Sequence, residues 1–211
     1  MAPTQHERPI ERVAVLVPVK AFGQAKRRLS PLLDVAHRAE LARRMAANVL
    51  VAARGLDTAV VCDDNEVRQW ATAHGAMVLH EPGRGLNGAI ESGVAQLREH
   101  RFDRVIICHA DLPLANDLRW IADFDGITLV PDRRADGTNV LCIPANVDFT
   151  FSYGGGSFAR HFAEARSTDH ATRVAPDRAL SFDVDVPADL RLAEALLQRG
   201  TNPKPKATAH S

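Results

Sequence analysis

Four short stretches of this chain carry side chains able to do chemistry. Lys20-Ala-Phe-Gly-Gln-Ala-Lys26-Arg27-Arg28 follows an apolar run and sets four cations within nine positions. Such a loop suits a polyphosphate, with Lys as a compact charge and Arg as a bidentate fork; the plainer reading is a solvated basic loop. Cys108-His109-Ala110-Asp111-Leu112-Pro113 closes another apolar run and delivers an acid three residues later. A carboxylate there can take a divalent cation, because Mg²⁺ is usually held by one or two carboxylates plus phosphate oxygens, or it can cap a turn before Pro113. His109 reads better as a hydrogen-bonded histidine at a strand end than as a base or ligand. In Phe182-Asp183-Val184-Asp185-Val186-Pro187, alternation along an extended segment puts both carboxylates on one face, where like charges are costly unless a cation sits between them. Gly83-Arg84-Gly85-Leu86-Asn87-Gly88 matches GxGxxG literally. The acid expected about 20 residues further on at a strand end is not there, so a loop that lets backbone approach a nucleotide fits better than a dinucleotide fingerprint.

Elements that could position these residues follow from the apolar pattern. Val13 to Val19 is a continuous apolar run, as in a strand buried on both faces. From Asp34 to Ala53 apolar residues recur at helical spacing with Arg38, Arg43 and Arg44 between them. Strands are expected at 58–62, 76–79 and 104–108, and helices at 65–73 and 87–97. That alternation predicts a parallel sheet covered by helices on both sides, a three-layer α/β/α fold. Ile127 to Val130 and Asn139 to Ile143, separated by a loop with Asp136-Gly137, read as an antiparallel insertion. A helix at 157–165, a strand at 181–184 and a helix opened by Pro187 and running to about Gln198 complete the set. Ligands of open α/β sheets gather at the carboxyl ends of the strands, where three of the four stretches begin. One domain over residues 1–199 is expected, with a polar, proline-containing, disordered tail at 200–211.

Composition narrows the partners. Lys plus Arg number 26 and Asp plus Glu number 26, so no overall charge draws the chain to nucleic acid or lipid. The three cysteines are far apart without CxxC spacing, which disfavours disulfides and structural zinc and suggests small buried hydrophobes. No apolar run approaches the roughly 20 residues that span a bilayer, and the polar start lacks a signal-peptide core, so a cytoplasmic location is expected. Walker A, HExxH and GxSxG patterns are missing. A phosphate monoester, by contrast, is already largely dianionic at neutral pH, with a second pKa of about 6, and attacks phosphorus without a general base. What remains for a protein to supply is positioning and charge neutralisation.

Read together, Pro18-Val19-Lys20, Ala25-Lys26-x-Arg28-Leu29, Gly85-Leu86-Asn87-x-Ala89, Asp111-Leu112-Pro113, Asp132-Arg133 with Gly137-Thr138-Asn139, Gly156-Ser157-Phe158-x-x-His161 and Asp183-Val184-Asp185-x-Pro187-x-Asp189-Leu190 resemble the 2-phospho-L-lactate guanylyltransferase family. That family includes bacterial phosphoenolpyruvate guanylyltransferases of coenzyme F420 biosynthesis. The resemblance implies a nucleotide-diphospho-sugar transferase fold of the MobA-like type. It also implies transfer of GMP from GTP to phosphoenolpyruvate, 2-phospho-L-lactate or 3-phospho-D-glycerate with release of pyrophosphate, the product passing to a downstream F420 transferase. By motif position, Asp111, Asp183 and Asp185 would hold Mg²⁺ and Lys20, Lys26 and Arg28 the triphosphate. Gly85 and Asn87 would meet the nucleoside, and Thr138, Gly154 and Ser157 the acceptor, largely at its carboxylate. Small residues before the helix at Ser157 would expose backbone N–H groups to that anion. Asn139, Cys142 and Phe158 are expected to shape the acceptor pocket. A homodimer is left open. Two other readings stand beside this one: a glycosyltransferase using a nucleotide-sugar at an Asp-x-Asp metal site, and a dinucleotide-binding module built on the glycine loop.

Overall fold

The computed structural model describes residues 11–201, and for 199–201 the backbone alone. One seven-stranded sheet carries the functional stretches. Its strands are β1 (Val13–Pro18), β2 (Asp57–Cys62), β3 (Met77–His80), β4 (Arg104–Cys108), β5 (Ile127–Pro131), β6 (Thr138–Pro144) and β7 (Thr172–Val174), ordered β3-β2-β1-β4-β6-β5-β7. Every neighbouring pair is parallel except β4/β6 and β5/β6, so β6 alone runs backwards. The reversal brings the start of β6 beside the ends of β4 and β5, which places Thr138 on the same edge of the sheet as His109 and Asp132.

Among the described residues five α-helices cover the sheet: α1 (Val35–Ala52), α2 (Asn65–Ala73), α3 (Gly85–Glu99), α4 (Ser157–Ser167) and α5 (Pro187–Thr201). Asp34 and Asp64 cap α1 and α2, their carboxylates accepting from His37 N–H and Val67 N–H, which offsets two orphan donors of the first turns. The apolar runs of β1 and β4 are buried on both faces because each face has its own core. Val15, Val17, Ile106 and Cys108 pack with α1 and α2; Ala14, Leu16, Val105 and Ile107 pack with α3 and α4. Gly93 lets α3 approach β1 closely, since a Cβ there would lie 2.9 Å from a methyl of Leu16. All three cysteines are buried free thiols, as composition suggested.

Two expectations need correction, and one strand was not foreseen. Ser181–Val184 is not a strand: β4, whose end it crosses, is already flanked by β1 and β6 and has no free side to pair with. The segment instead crosses the end of β4, held by Val184 N–H donating to Asp111 C=O at 3.3 Å and by Asn139 Nδ2 donating to Leu180 C=O at 3.0 Å. Its alternation nevertheless holds. Phe182 and Val184 are buried in a third cluster with Leu29, Met45 and Ala193, while Asp183 and Asp185 stay partly exposed. The short edge strand β7 was not anticipated from sequence. Lastly, α5 continues through Gly200 and Thr201, past the expected end; the rest of the tail assigned as disordered lies outside the described residues.

Candidate active site

β1 ends in Pro18 and the chain then passes through Lys20 into the basic loop, where two short 3-10 turns, Phe22–Gln24 and Arg27–Leu29, fold it back over the sheet edge. Phe22 and Leu29 anchor it in the core. Between the turns Lys26 adopts a left-handed backbone, φ 52° and ψ 40°, which for a side chain larger than glycine costs about 1 kcal/mol or more. The strained backbone carries an ammonium that bridges two acids from distant parts of the chain. Its Nζ lies 2.5 Å from Asp111 Oδ2 and 3.2 Å from Asp185 Oδ1. Arg28 sits 3.7 Å from the other oxygen of Asp185. Lys26 and Asp111 also line a cleft of about 330 Å³ with Lys20, Leu86 and His109. Asp183 and Asp185 line an adjoining polar hollow of about 170 Å³ with Arg28 and Asp189.

Electrostatics in this cluster are set by burial and by the bridge. Burial lowers the pKa of Lys26, but the Asp111 and Asp185 carboxylates outweigh it and the net shift is upward. For Asp111 burial pushes up, but Lys26, His109 and hydrogen bonds together outweigh it and the net shift is downward. Asp183 has no such cation, and burial followed by the Asp111 charge raises its pKa. Asp111 Oδ1 is buried without a hydrogen-bond partner. An orphaned carboxylate oxygen beside a second crowded carboxylate is the donor set a hard cation takes. Among the described residues, no three His, Cys, Asp or Glu side chains are already disposed around one point to hold a metal ion. Lys26 bridges Asp111 and Asp185 and supplies their countercharge.

Residues that sequence reasoning passed over hold the cluster in place. Asn48 on α1 directs its amide N–H at the carbonyls of Leu112, Pro113 and Ala115, at 3.2, 3.3 and 2.9 Å, and so fixes the turn after Asp111. Asp189 accepts from Asp185 N–H at 3.0 Å and Val186 N–H at 2.9 Å through Oδ2, while Oδ1 takes Arg133 at 2.6 Å. Arg133 in turn stacks over Phe182. The signal for Asp189 was present, an acid in the first turn of a helix behind Asp-x-Asp; Asn48 left none, because its partners are backbone atoms over 60 residues away.

The glycine-rich loops meet rather than act separately. Asn87 was expected to face the nucleoside; instead Tyr153 N–H donates to its Oδ1 at 2.7 Å and its Nδ2 donates to Tyr153 C=O at 3.5 Å, tying α3 to the loop before α4. Gly85 opens α3 beside Lys20 and Leu86. Gly154 has φ +122°, a conformation open to glycine alone in practice. The expectation that helix N–H groups at the start of α4 await an anion is corrected. Gly156 N–H donates to Asp136 Oδ1, Phe158 N–H to Asp136 C=O and Ser157 N–H to Gly154 C=O, all at 3.0 Å. The Ser157 and Thr138 side chains are buried. Ser157 Oγ accepts from Thr138 N–H at 3.1 Å, and Thr138 Oγ1 is 3.0 Å from His161 Nδ1. Cys142, expected near the acceptor, lies in the core 3.5 Å from Arg104, and Asn139 spends its amide on Leu180; Phe158 packs partly buried against the core facing α3. His109, contrary to expectation, leaves its buried Nε2 without a partner, and its ring stands 5.1 Å from that of Tyr153, whose hydroxyl is likewise unpartnered.

A basic loop after β1, acids at the end of β4 and before the last helix, and a mixed sheet with one reversed strand define the nucleotide-diphospho-sugar transferase fold. A protein from Desulfovibrio desulfuricans G20 assigned to those transferases superposes with a TM-score of 0.67 at 16% identity, over 92% of this chain and 90% of that one. The family model described as "Guanylyl transferase CofC like" matches residues 13–206, and the chain belongs to that family of nucleotidyl-transferring enzymes. It is similar to a phosphoenolpyruvate guanylyltransferase of Sphaerobacter thermophilus, 36% identical over 83% of this chain and 89% of the relative. It is also similar to a 2-phospho-L-lactate guanylyltransferase of Methanothermobacter thermautotrophicus, 33% identical over 85% and 82%.

Proposed function

We propose that this protein transfers GMP from GTP to the phosphate of a small phosphorylated three-carbon acid, phosphoenolpyruvate, 2-phospho-L-lactate or 3-phospho-D-glycerate, and releases pyrophosphate, within coenzyme F420 biosynthesis. The observation that carries the reading is the Lys26 bridge between Asp111 and Asp185, in a chain of the CofC-like family. A charge-balanced cluster at the strand ends is what a triphosphate and its cation exchange into. Names borne by relatives support the donor and the acceptor class.

Asp111, Asp183 and Asp185 would hold Mg²⁺, which when bound neutralises phosphate oxygens and orients the triphosphate. Lys26, held rigidly by its strained backbone, offers its ammonium to charge developing as pyrophosphate leaves. Lys20 and Arg28, both exposed at the rim, would meet the outer phosphates, Arg28 from its place beside Asp185. The acceptor phosphate needs no general base, so unpartnered His109 Nε2 is not required as one. By motif position Thr138, Gly154 and Ser157 would hold the acceptor carboxylate, and Asn87 ties α3 to the loop that carries Gly154. Among the described residues no helix is long and apolar enough to cross a membrane.

A pyrophosphate-release panel tests this directly. Four nucleoside triphosphates are crossed with phosphoenolpyruvate, both phospholactate enantiomers and 3-phosphoglycerate, with Mg²⁺ and with chelator, and products are identified by mass. Release is expected with GTP, Mg²⁺ and one of these acids together. Silence across the whole panel refutes the proposal, and a nucleoside diphosphate product from a nucleotide-sugar would select sugar transfer instead.

A further inference from the structure

Asn87 is tied to Tyr153, so the edge of the donor base has to be read by another group. A second hollow, of about 50 Å³, lies past the ends of β1, β2 and β3 and shares Pro18, Val19, Lys20 and Leu86 with the larger cleft that holds Lys26 and Asp111. Its further walls include Ala89, Asp63 and Glu81. Apolar walls with a few placed polar groups suit a flat ring whose faces are covered and whose edge is read. The size admits the edge of such a ring and leaves the ribose and phosphates to the cleft. Three acids stand just past β2 and β3, and two of them are spent. Glu81 accepts from Gln96 Nε2 at 2.6 Å through Oε1 and pairs with Arg84 Nε at 2.9 Å through Oε2. Asp64 accepts from Val67 N–H at 3.0 Å and caps α2. Asp63 is exposed and, among the described residues, has neither a hydrogen bond nor an ion pair.

We infer that Asp63 selects guanine in the donor nucleotide, its carboxylate accepting from the ring N1–H and the N2 amino group together. The inference rests on the guanylyl reading proposed above and adds to it the group that makes the donor GTP. An ionised carboxylate only accepts. Of the common bases guanine alone offers two adjacent donors on one edge. Adenine sets a lone pair at N1 beside its amino group, cytosine sets one at N3, and uracil flanks its single N–H with two carbonyl oxygens. Each of these turns a lone pair on the carboxylate, and a site that leaves its polar group so opposed discriminates more strongly than one that fits shape alone. A nucleotide whose base edge meets Asp63 runs its phosphates past Lys20, which lines both spaces, toward Lys26. Asp111, Asp183 and Asp185 do not line the hollow, so Asp63 can be changed without touching the proposed cation ligands.

Equilibrium binding tests this without turnover. Isothermal titration calorimetry of the full-length protein, with Mg²⁺ and no acceptor, compares GTP, ITP, XTP and ATP. ITP lacks the N2 amino group, and XTP carries an oxygen in its place. The parent should bind GTP about tenfold or more tighter than ITP, the value of one hydrogen bond to a charged group, and XTP and ATP more weakly than GTP as well. In Asp63→Asn the amide oxygen still accepts from N1–H, but the amide N–H now faces position 2 of the ring. GTP should weaken about tenfold or more, and XTP should become the tighter ligand. A variant in which XTP does not overtake GTP overturns the inference, whether all four nucleotides weaken alike or GTP is selected as before; either result leaves guanylyl transfer standing. Where the variant fails to fold, the parent decides, and equal affinity for GTP and ITP overturns the inference. Selection of GTP that Asp63→Asn reverses, with no pyrophosphate released from any acid, keeps the base reader and refutes the transfer.

Discussion

Replacing Lys26 with methionine keeps the length of the side chain and deletes the one charge shared by Asp111 and Asp185. Asp111 then has no hydrogen-bond partner on either oxygen, since Oδ1 lacks one already. Removing one member of a largely buried, hydrogen-bonded pair costs about 3–5 kcal/mol. The side chains of Lys26 and Asp111 retain 11% and 23% exposure, and Asp185 keeps Arg28 nearby, which favours the lower end, about 3 kcal/mol. For a chain of this size that is a fall in Tm of about 6–12 °C. The sign with pH follows from the shifts. The raised lysine contributes below its ordinary 10.5 and loses its contribution as pH climbs past the folded value. The depressed Asp111 contributes above 3.8 and loses it as pH falls through a lower one, so at pH 7 the pair is intact. Asp111→Asn alone leaves an uncompensated ammonium, and the double variant removes both charges. Urea unfolding of the four proteins in chelator should give a coupling of about 2 kcal/mol, the double variant being more stable than the two losses combined would allow. Additivity within about 0.5 kcal/mol would show that the two groups do not sense one another and would remove the central feature of the site.

Other consequences are simpler to check. Asp111→Asn and Asp183→Asn should abolish GTP-dependent pyrophosphate release while circular dichroism stays that of the parent; a variant with normal turnover excludes that residue as a cation ligand. Asn87→Ala leaves Tyr153 N–H unpaired, so it should cost about 1–2 kcal/mol of stability and raise KM for GTP and acceptor together; a change confined to GTP would restore Asn87 to direct nucleoside contact. His161, depressed to about 4 from an ordinary 6.5, binds fewer protons folded than unfolded, so its contribution is complete above 6.5 and is lost as pH falls from there to about 4. The loss is on the order of 3 kcal/mol, and urea midpoints should converge between parent and His161→Gln over that interval. Parallel curves would contradict it.

How much of this was legible in the sequence depended on whether a residue's role is local. Val13 to Val19 and Val105 to Cys108 announce central strands because burial on both faces leaves no polar position, and the acids and cations just past them follow from the rule that sheets present chemistry at their carboxyl ends. Asp183 and Asp185 kept their shared face although the strand did not form, since Phe182 and Val184 need burial whether or not the backbone between them is paired. What failed is non-local hydrogen bonding. Gly-Gly-Gly-Ser before α4 looks like an anion nest, yet Asp136, some 20 residues earlier, fills it. Asn87 looks like part of a nucleotide loop, yet Tyr153 claims its amide 66 residues later. Each of these polar groups satisfies a backbone N–H of a distant segment, an obligation that propensity and spacing cannot assign to a particular residue.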